Sequence, residues 1–479
     1  MKSRKGQCAK IDASLLNEIE SIVGRKNVVV DPERMADYSH DEFSLVEIRH
    51  FPEVVVKPES TAQVSSLLRL AAERLIPVTP RGGATGLCGG SVPIAGGIVL
   101  SLEKMNRVIE IDKNNQMAVV EAGVRLADFY AAVEQEGLFF PPHPGEESAM
   151  IGGLISTNAG GARAVKYGVM RNYVRGLELV LPGGEVIFTG GKLLKTSTGY
   201  NLLNLIIGSE GTLAVITRAV ISLVFPPPHT RSLIAAYDEL ERAIATVPLL
   251  SRSKILPMAV EFLSREVIGI TEKHLKRKWP ALPGNTYLLI IVDASSEEEM
   301  DRVSEQIGEV CLNSGALDIF VAETPQKQKN VLEIRSKIYE AIKSETVEIL
   351  DIVVPREEIP AHVKRVQEVS EKYKLWLPTF GHAADGNVHT HIMKARLEKD
   401  TMVSLESSEW KEKVDKVREE LYRDCKKRGG VISGEHGIGV VKKKFLAFSL
   451  DEKQVELMRG IKRVFDPQNI LNPGKIFDF

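Results

Sequence analysis

The chain is poor in the features that mark several large protein classes. Its four cysteines (Cys8, Cys88, Cys311, Cys425) are spread along 479 residues with no CxxC pair. That spacing argues against a locally held iron–sulfur cluster, a zinc ribbon or a disulfide framework. Reduced thiols of a cytosolic protein are the expectation. No run of about 18 apolar residues occurs, so no membrane span is expected. Met1–Lys10 is charged and lacks the apolar centre of a secretory signal. An excess of one charge is missing too: Lys+Arg number 62 against 64 Asp+Glu, so no nucleic-acid surface is implied. Neither GxxxxGK[ST] nor HExxH is present, which removes the Walker loop and the zinc-protease helix.

What is present is glycine, concentrated. Pro80–Ser91 holds five glycines in twelve residues, and Pro144–Gly161 holds Gly152-Gly153 and Gly160-Gly161. Bare, permissive backbone of this kind lets a ligand approach closely and lets successive N–H groups cradle an anion such as a pyrophosphate. The first loop follows an expected strand at Ile76–Thr79 but precedes Val92-Pro93 rather than a helix, so a Rossmann turn does not fit. A third segment, Gly208-Ser209-Glu210-Gly211-Thr212, precedes a long apolar strand at Thr212–Val224.

Around these segments the pattern is mixed. Helices are expected at Leu15–Val23, after a Thr61 N-cap, and at Leu126–Glu136 with Gly137 as its stop. Strands are expected at Glu53–Lys57, Gly97–Leu102, Arg107–Ile111 and Met117–Ala122, and a hairpin around Pro182-Gly183-Gly184. Pro226-Pro227-Pro228 closes a first domain, 1–228. Residues 229–430 alternate strands (Leu233–Tyr237, Met258–Phe262, Tyr287–Val292, Asp351–Val354) with helices (Glu239–Leu249, Glu297–Ser314, Val331–Lys343, Pro360–Tyr373, Ser408–Arg428). This suits an antiparallel sheet with helices on one face. Residues 431–479 form a C-terminal segment with a helix at Lys453–Phe465.

Four of the ten histidines lie between His382 and His436. Phe380–His391 carries His382, His389 and His391, and Ser433–Gly439 carries Glu435 and His436. Two imidazoles, His382 and His389, with the glycine-flanked carboxylate of Glu435 make an open site for a divalent metal. His391 reads as an ordinary polar core or surface residue.

Taken together, Pro80–Ser91, Ile151-Gly152-Gly153, Thr157–Gly161 and Gly208–Thr212 resemble the FAD-binding fold of the vanillyl-alcohol oxidase and p-cresol methylhydroxylase (PCMH) superfamily. The His382–His391 and Ser433–Gly439 motifs, with Leu471-Asn472-Pro473-Gly474-Lys475, resemble the FAD-linked D-2-hydroxy acid dehydrogenases. That group includes D-lactate and D-2-hydroxyglutarate dehydrogenases and the flavin subunit of glycolate oxidase. The resemblance spans nearly the whole chain and is loose over 229–330.

It implies an α+β protein: a PCMH-type FAD-binding domain, a cap domain for substrate with an antiparallel sheet covered by helices, and a helical C-terminal segment returning to the first domain. Gly82, Gly83, Ala84, Thr85, Gly86, Leu87 and Ser91 are implied to cradle the FAD pyrophosphate. Pro144, Gly152, Gly153, Ser156, Asn158 and Gly160 are implied to line the flavin and ribityl side, Glu210 and Ile216 the adenine half, with Asn472 also at the cofactor. Ala84 and Thr85 stand where some members tether the flavin to histidine, so the FAD is expected to be non-covalent. His382, His389 and Glu435 are implied to hold zinc, iron or manganese, and His436 to be the general base. Asn387 and Arg335 are implied to bind substrate. A guanidinium fork suits a carboxylate, although the spacing around Arg335 equally suits a solvated helix face. Hydride from C2 of the substrate is expected to pass to the flavin.

Two departures bear on the substrate. Relatives specific for long dicarboxylates carry lysine two residues before the strand aspartate, where this chain has Ile349. The Ala383-Ala384-Asp385 turn is also unusual for the group. Both favour a short acid such as D-lactate. Electrons are expected to leave to an external acceptor such as an electron-transfer flavoprotein or a partner iron–sulfur subunit, the protein being cytoplasmic or peripheral at a membrane. A flavin subunit that only relays electrons is the competing reading, but it has no need of His382, His389, Glu435 and His436 together. An ether-lipid synthase of the same superfamily is disfavoured by Ser433–Gly439.

Overall fold

The computed structural model describes residues 10–43, 45–280, 282–399 and 401–479. Cys8 and the rest of the stretch before Lys10 lie outside the described residues.

The first half builds two sheets on one core. Val28–Val29, Val54–Val56, Ile98–Ser101 and Val78–Arg81 lie side by side in that order, the last three parallel. Parallel neighbours need a crossover, and the helix Thr61–Arg74 supplies it, burying Val64, Leu67, Leu68 and Ala71. Its N-cap is Ser60, whose hydroxyl accepts from the Gln63 N–H; Thr61 instead bonds Glu178. The second sheet is antiparallel, in the order Val108–Asp112, Met117–Glu121, Val215–Ser222, Val174–Val180, Val186–Gly190. The hairpin at Pro182–Gly184 is as expected. A short helix, Ile151–Thr157, was not expected, because the glycine pair Gly152-Gly153 sits inside it. Gly152 is needed there for packing: a Cβ would stand 2.8 Å from that of Ala122.

The second half is one seven-stranded antiparallel sheet. Its order is Asp318–Ala322, His229–Tyr237, Thr286–Ala294, Ala259–Ser264, Thr379–His382, Asn387–Met393, Thr346–Val353. Helices cover both faces rather than one. Leu233, Ala235 and Tyr237 pack in one cluster with Ile244, Ile307, Val366 and Leu421; Ile234 and Ala236 pack in another with Val267, Val331 and Ile338. The strand Thr286–Ala294 shows why: Tyr287, Leu288, Leu289 and Ile290 are consecutive, apolar and all buried. Such a run has no solvent face, and each fully buried leucine contributes about 1.5–3 kcal/mol. The expected single helix over Val331–Lys343 is two, Pro325–Ser336 and Ile338–Ile342, meeting at Lys337. The helix Arg265–Leu275 was missed.

The C-terminal residues come back to the first core. Leu471 bridges Val78, the Asn472 N–H bonds the Val78 carbonyl at 2.7 Å, and Ile470 and Leu471 are buried in the first cluster. Among the described residues no helix is long and apolar enough to cross a membrane.

Candidate active site

Strand register assembles the site. His389 and His391 alternate along Asn387–Met393, while Val388 and Ile392 face the opposite, apolar side. Across the strand pairs, His382 stands opposite Glu261, and His389 opposite Asp351. Each imidazole therefore has a carboxylate on a neighbouring strand. His382 Nδ1 lies 2.6 Å from Glu261 Oε1, and His389 Nδ1 lies 3.9 Å from Asp351 Oδ1.

The opposite ring nitrogens converge. His382 Nε2 is 3.7 Å and His389 Nε2 is 3.4 Å from the same oxygen, Glu435 Oε1. Donors on one tetrahedral ion with bonds of about 2.1 Å stand roughly 3.4 Å apart, and each of the two imidazoles lies near that distance from the Glu435 oxygen they share. The rings of His382 and His389 are near perpendicular (86°), and His436 stacks on His389 at 5.4 Å between centroids.

Among the described residues, the possible ligand atoms that all lie within 4.8 Å of one another come one each from Asp351, His389, Glu435 and His436, with His382 outside that group. Asp351 has other work, however. Its Oδ2 accepts the backbone N–H of Gly434, Glu435 and His436 and the Ser433 hydroxyl, all at 2.9 Å. Its Oδ1 accepts from the Asn387 amide at 2.9 Å. Fully buried, it is the peg on which the Glu435–His436 loop hangs.

Charge follows from these partners. Burial opposes ionisation of Glu261, but His382 and Arg335 outweigh it and hold the carboxyl at about 2. Burial likewise opposes a charge on His382, yet Glu261 and Glu435 outweigh it and raise the imidazole well above its ordinary 6.5. Burial dominates at His389, pushed down to about 4, and lowers His436 as well. At Asp351 the charges of His436, Lys442 and His389 overcome burial and keep the carboxyl well below 3.8. Orientation of a ligating imidazole by a carboxylate on its far nitrogen is the usual second layer of a metal centre.

One cavity of about 840 Å³ joins this cluster to the glycine-rich loops. Of the residues expected at the cofactor, Gly82, Gly83, Ala84, Thr85, Gly86, Leu87, Ser91, Pro144, Gly152, Gly153, Ser156, Glu210 and Ile216 line it, as do Arg335, His382, His389, Glu435 and His436. Two details fit a bound dinucleotide: the buried Ser91 hydroxyl has no partner, and a Cβ at Gly153 would meet nothing within 4 Å. FAD, with a pyrophosphate for the first loop, suits this lining.

The structure places several of the expected residues away from the lining or on other partners. Asn158, Gly160 and Asn472 are not among the lining residues. The Asn158 side chain accepts from the Arg171 N–H, and the Asn472 amide donates to the carbonyls of Gly90 and Glu210. Gly160 instead abuts Glu435, where a Cβ would be 2.9 Å from Oε2. Asn387 does not line the cavity either; its amide is spent on Asp351 and the Ile352 carbonyl. Arg335 reaches the cavity, but its Nε and Nη2 both hold Glu261 Oε2, so the fork expected to grip substrate is partly engaged. Glu210 lines the cavity with both oxygens taken by the N–H groups of Ile438 and Gly439. Glu261 and Asp351 were missed as site residues. Glu261 is the lone carboxylate of its strand and Asp351 shares its strand with Glu348; a carboxylate inside so apolar a strand signals a buried, partnered charge.

Comparison with known proteins agrees with this architecture. Residues 226–476 match the family described as FAD linked oxidases, C-terminal domain, and residues 52–190 match an FAD binding domain. A D-lactate dehydrogenase of Anaerostipes hadrus is 41% identical over 98% of this chain and 98% of its own length. A D-lactate dehydrogenase of Archaeoglobus fulgidus is 45% identical over 88% of this chain and 91% of its own. Among solved structures, p-cresol methylhydroxylase with substrate bound superposes with a TM-score of 0.76 at 18% identity, covering 97% of this chain and 96% of that one. Glycine-rich loops lining one cavity, and a match in sequence along nearly the whole length, make this chain a member of the FAD-linked oxidases, an FAD-dependent oxidoreductase.

Proposed function

We propose that the protein is a D-2-hydroxy acid dehydrogenase that oxidises D-lactate or a similar short acid to the 2-oxo acid. The observation that carries this reading is the gathering of His382 and His389 about one Glu435 oxygen, with His436 stacked on His389, in the cavity that the FAD loops line. The D-lactate dehydrogenase relatives support the substrate class.

His382, His389 and Glu435 would hold the divalent metal. When bound, FAD supplies a two-electron acceptor and the metal a Lewis acid that makes the substrate hydroxyl more acidic. The chain does the rest. His436 takes the hydroxyl proton: burial keeps its imidazole neutral beforehand, and the Asp351 carboxylate, 3.9 Å from Nδ1, stabilises the imidazolium afterwards. Arg335 offers the substrate carboxylate its Nη1 edge, held in place by the Glu261 pair and by the Phe380 ring beneath it at 5.4 Å. Ile349 in the lining leaves no cation there for a second carboxylate.

Electrons then pass to an external acceptor, such as an electron-transfer flavoprotein or a partner iron–sulfur subunit. A cytoplasmic or membrane-peripheral setting and the division into 1–228, 229–430 and 431–479 belong to the same proposal. Anaerobic addition of D-lactate to the purified protein should bleach the flavin absorbance, with L-lactate inert. An unchanged spectrum with D-lactate and every other short D-2-hydroxy acid tried would sink the assignment.

A further inference from the structure

The loop Ser433–Lys442 carries both Glu435 and His436, and it is pinned from two sides. Asp351 of the seven-stranded sheet holds the backbone of Gly434, Glu435 and His436. Much of what holds its other half comes from the glycine-rich segments of the FAD side, beside the Ile476 N–H on the Gly439 carbonyl and the Lys442–Asp351 pair. Glu210 Oε1 accepts the Ile438 N–H and Oε2 the Gly439 N–H, each at 2.8 Å. The Cys88 carbonyl accepts the Val440 and Val441 N–H groups at 2.8 and 3.2 Å. Gly160 lies against the Glu435 carboxylate.

Glu210 is the central strut. It is a non-glycine residue in left-handed backbone (φ 52°), conformations that persist where the surroundings over-determine them. Its own N–H bonds the Ser156 carbonyl at 2.8 Å, and Ser156 lines the cavity. Gly437 (φ 82°) suits this contact: in that left-handed backbone a side chain is strained, and a Cβ would crowd the Glu210 carboxyl carbon at 3.0 Å. The side chain thus runs from the wall of the flavin cavity to the backbone next to His436 and touches neither the donors of the metal cluster nor their carboxylate partners.

We infer that Glu210 is a positioning residue that couples the two cofactor sites, so that FAD and the divalent metal bind cooperatively. FAD filling the cavity holds Ser156 and Glu210 in place. Glu210 then holds Ile438 and Gly439, and with them the loop that presents Glu435 to His382 and His389. Such coupling is reciprocal: the factor by which FAD raises metal affinity is the factor by which metal raises FAD affinity. The inference rests on the metal assignment made above.

The reciprocity allows a test on the intact holoenzyme. FAD affinity is measured from the fluorescence of released flavin, with the enzyme loaded with zinc or manganese and again after chelation. Chelation is expected to weaken FAD binding by about 5–150-fold, the range typical of coupling between two sites. In Glu210→Gln the side chain keeps its size but turns an amide N–H toward one of the two backbone donors, and the zinc-loaded to chelated ratio should fall to near one. An equal FAD affinity in the loaded and chelated wild-type enzyme overturns the coupling, even if Glu210→Gln fails to fold. Full coupling retained in Glu210→Gln overturns the role of Glu210. A protein that holds no metal by elemental analysis and takes none up overturns both this inference and the metal assignment, whereas stoichiometric metal with unlinked affinities overturns the coupling alone.

Discussion

Replacing Asp351 with asparagine removes one charge and almost no volume, and the structure says what that charge supports. Three backbone N–H groups and the Ser433 hydroxyl meet Oδ2 at 2.9 Å, and the Asn387 amide meets Oδ1 at the same distance. The ammonium of Lys442, itself buried, lies 3.6 Å away. In Asp351→Asn the amide oxygen can take the place of Oδ2, but the amide nitrogen then faces the Asn387 donor. Lys442 also loses the carboxylate closest to it. Breaking a buried pair from one side costs about 3–5 kcal/mol, and a hydrogen bond to a charged group is worth roughly 1.5–3 kcal/mol against about 0.5–1.5 for a neutral one. Relief from desolvating the carboxylate offsets part of this, so a loss of about 3–5 kcal/mol is expected, a large share of a typical total of about 5–15. Urea unfolding, with midpoint and slope both measured, reads it directly. The pH dependence provides a second check. The Asp351 carboxyl is held well below its ordinary 3.8, so its contribution is fully present above the unfolded value and is lost as pH falls through the folded one. That acid limb should shrink in the variant. A loss below about 1 kcal/mol, with an unchanged acid limb and metal still bound, would refute the claim that Asp351 carries the loop.

Three further outcomes test the site. His436→Ala should lower turnover by about 10²–10⁴-fold while the bound-flavin spectrum is kept; undiminished turnover, or loss of FAD, would remove His436 from the base role. Glu261→Gln should weaken metal binding by about 10–100-fold in a chelator competition, because the carboxylate that orients His382 becomes neutral; unchanged affinity would mean that His382 is not a ligand. Metal uptake near pH 7 should release about one proton, read with an indicator dye in weak buffer. The proton comes from His382, raised well above 6.5, and not from His389, already neutral with its value at about 4. Affinity should therefore rise with pH until the folded value of His382 is passed, and a pH-independent affinity would contradict the assignment.

What could be read in the chain, and what could not, divides along a physical line. Apolar spacing and turn chemistry act locally, so the helices Ala13–Val23, Leu126–Gln135, Ile359–Tyr373 and Ser407–Lys427 and the hairpin at Pro182–Gly184 lie within a few residues of expectation. The helix Ile151–Thr157 was invisible because Gly152 and Gly153 have the wrong intrinsic preference; the contact of Gly152 with Ala122 overrides it. The presence of His382, His389 and Glu435 together in the cavity was legible because histidine and glycine-flanked glutamate are chemically conspicuous. The roles of Asn387, Arg335 and Glu210 were not, because a polar side chain is defined by what it meets, and these meet Asp351, Glu261 and the Ile438–Gly439 backbone, up to 229 residues away. The same reasoning orders the site. Composition selects groups able to bind a metal or take a proton. Their usefulness depends on the buried carboxylates of Glu261 and Asp351 and the half-buried one of Glu210, which bind backbone, guanidinium or imidazole. Removing any one of them should leave every donor atom in the sequence and still scatter the centre, and for that reason these three carboxylates, rather than the histidines, are the sharper probes of the proposed chemistry.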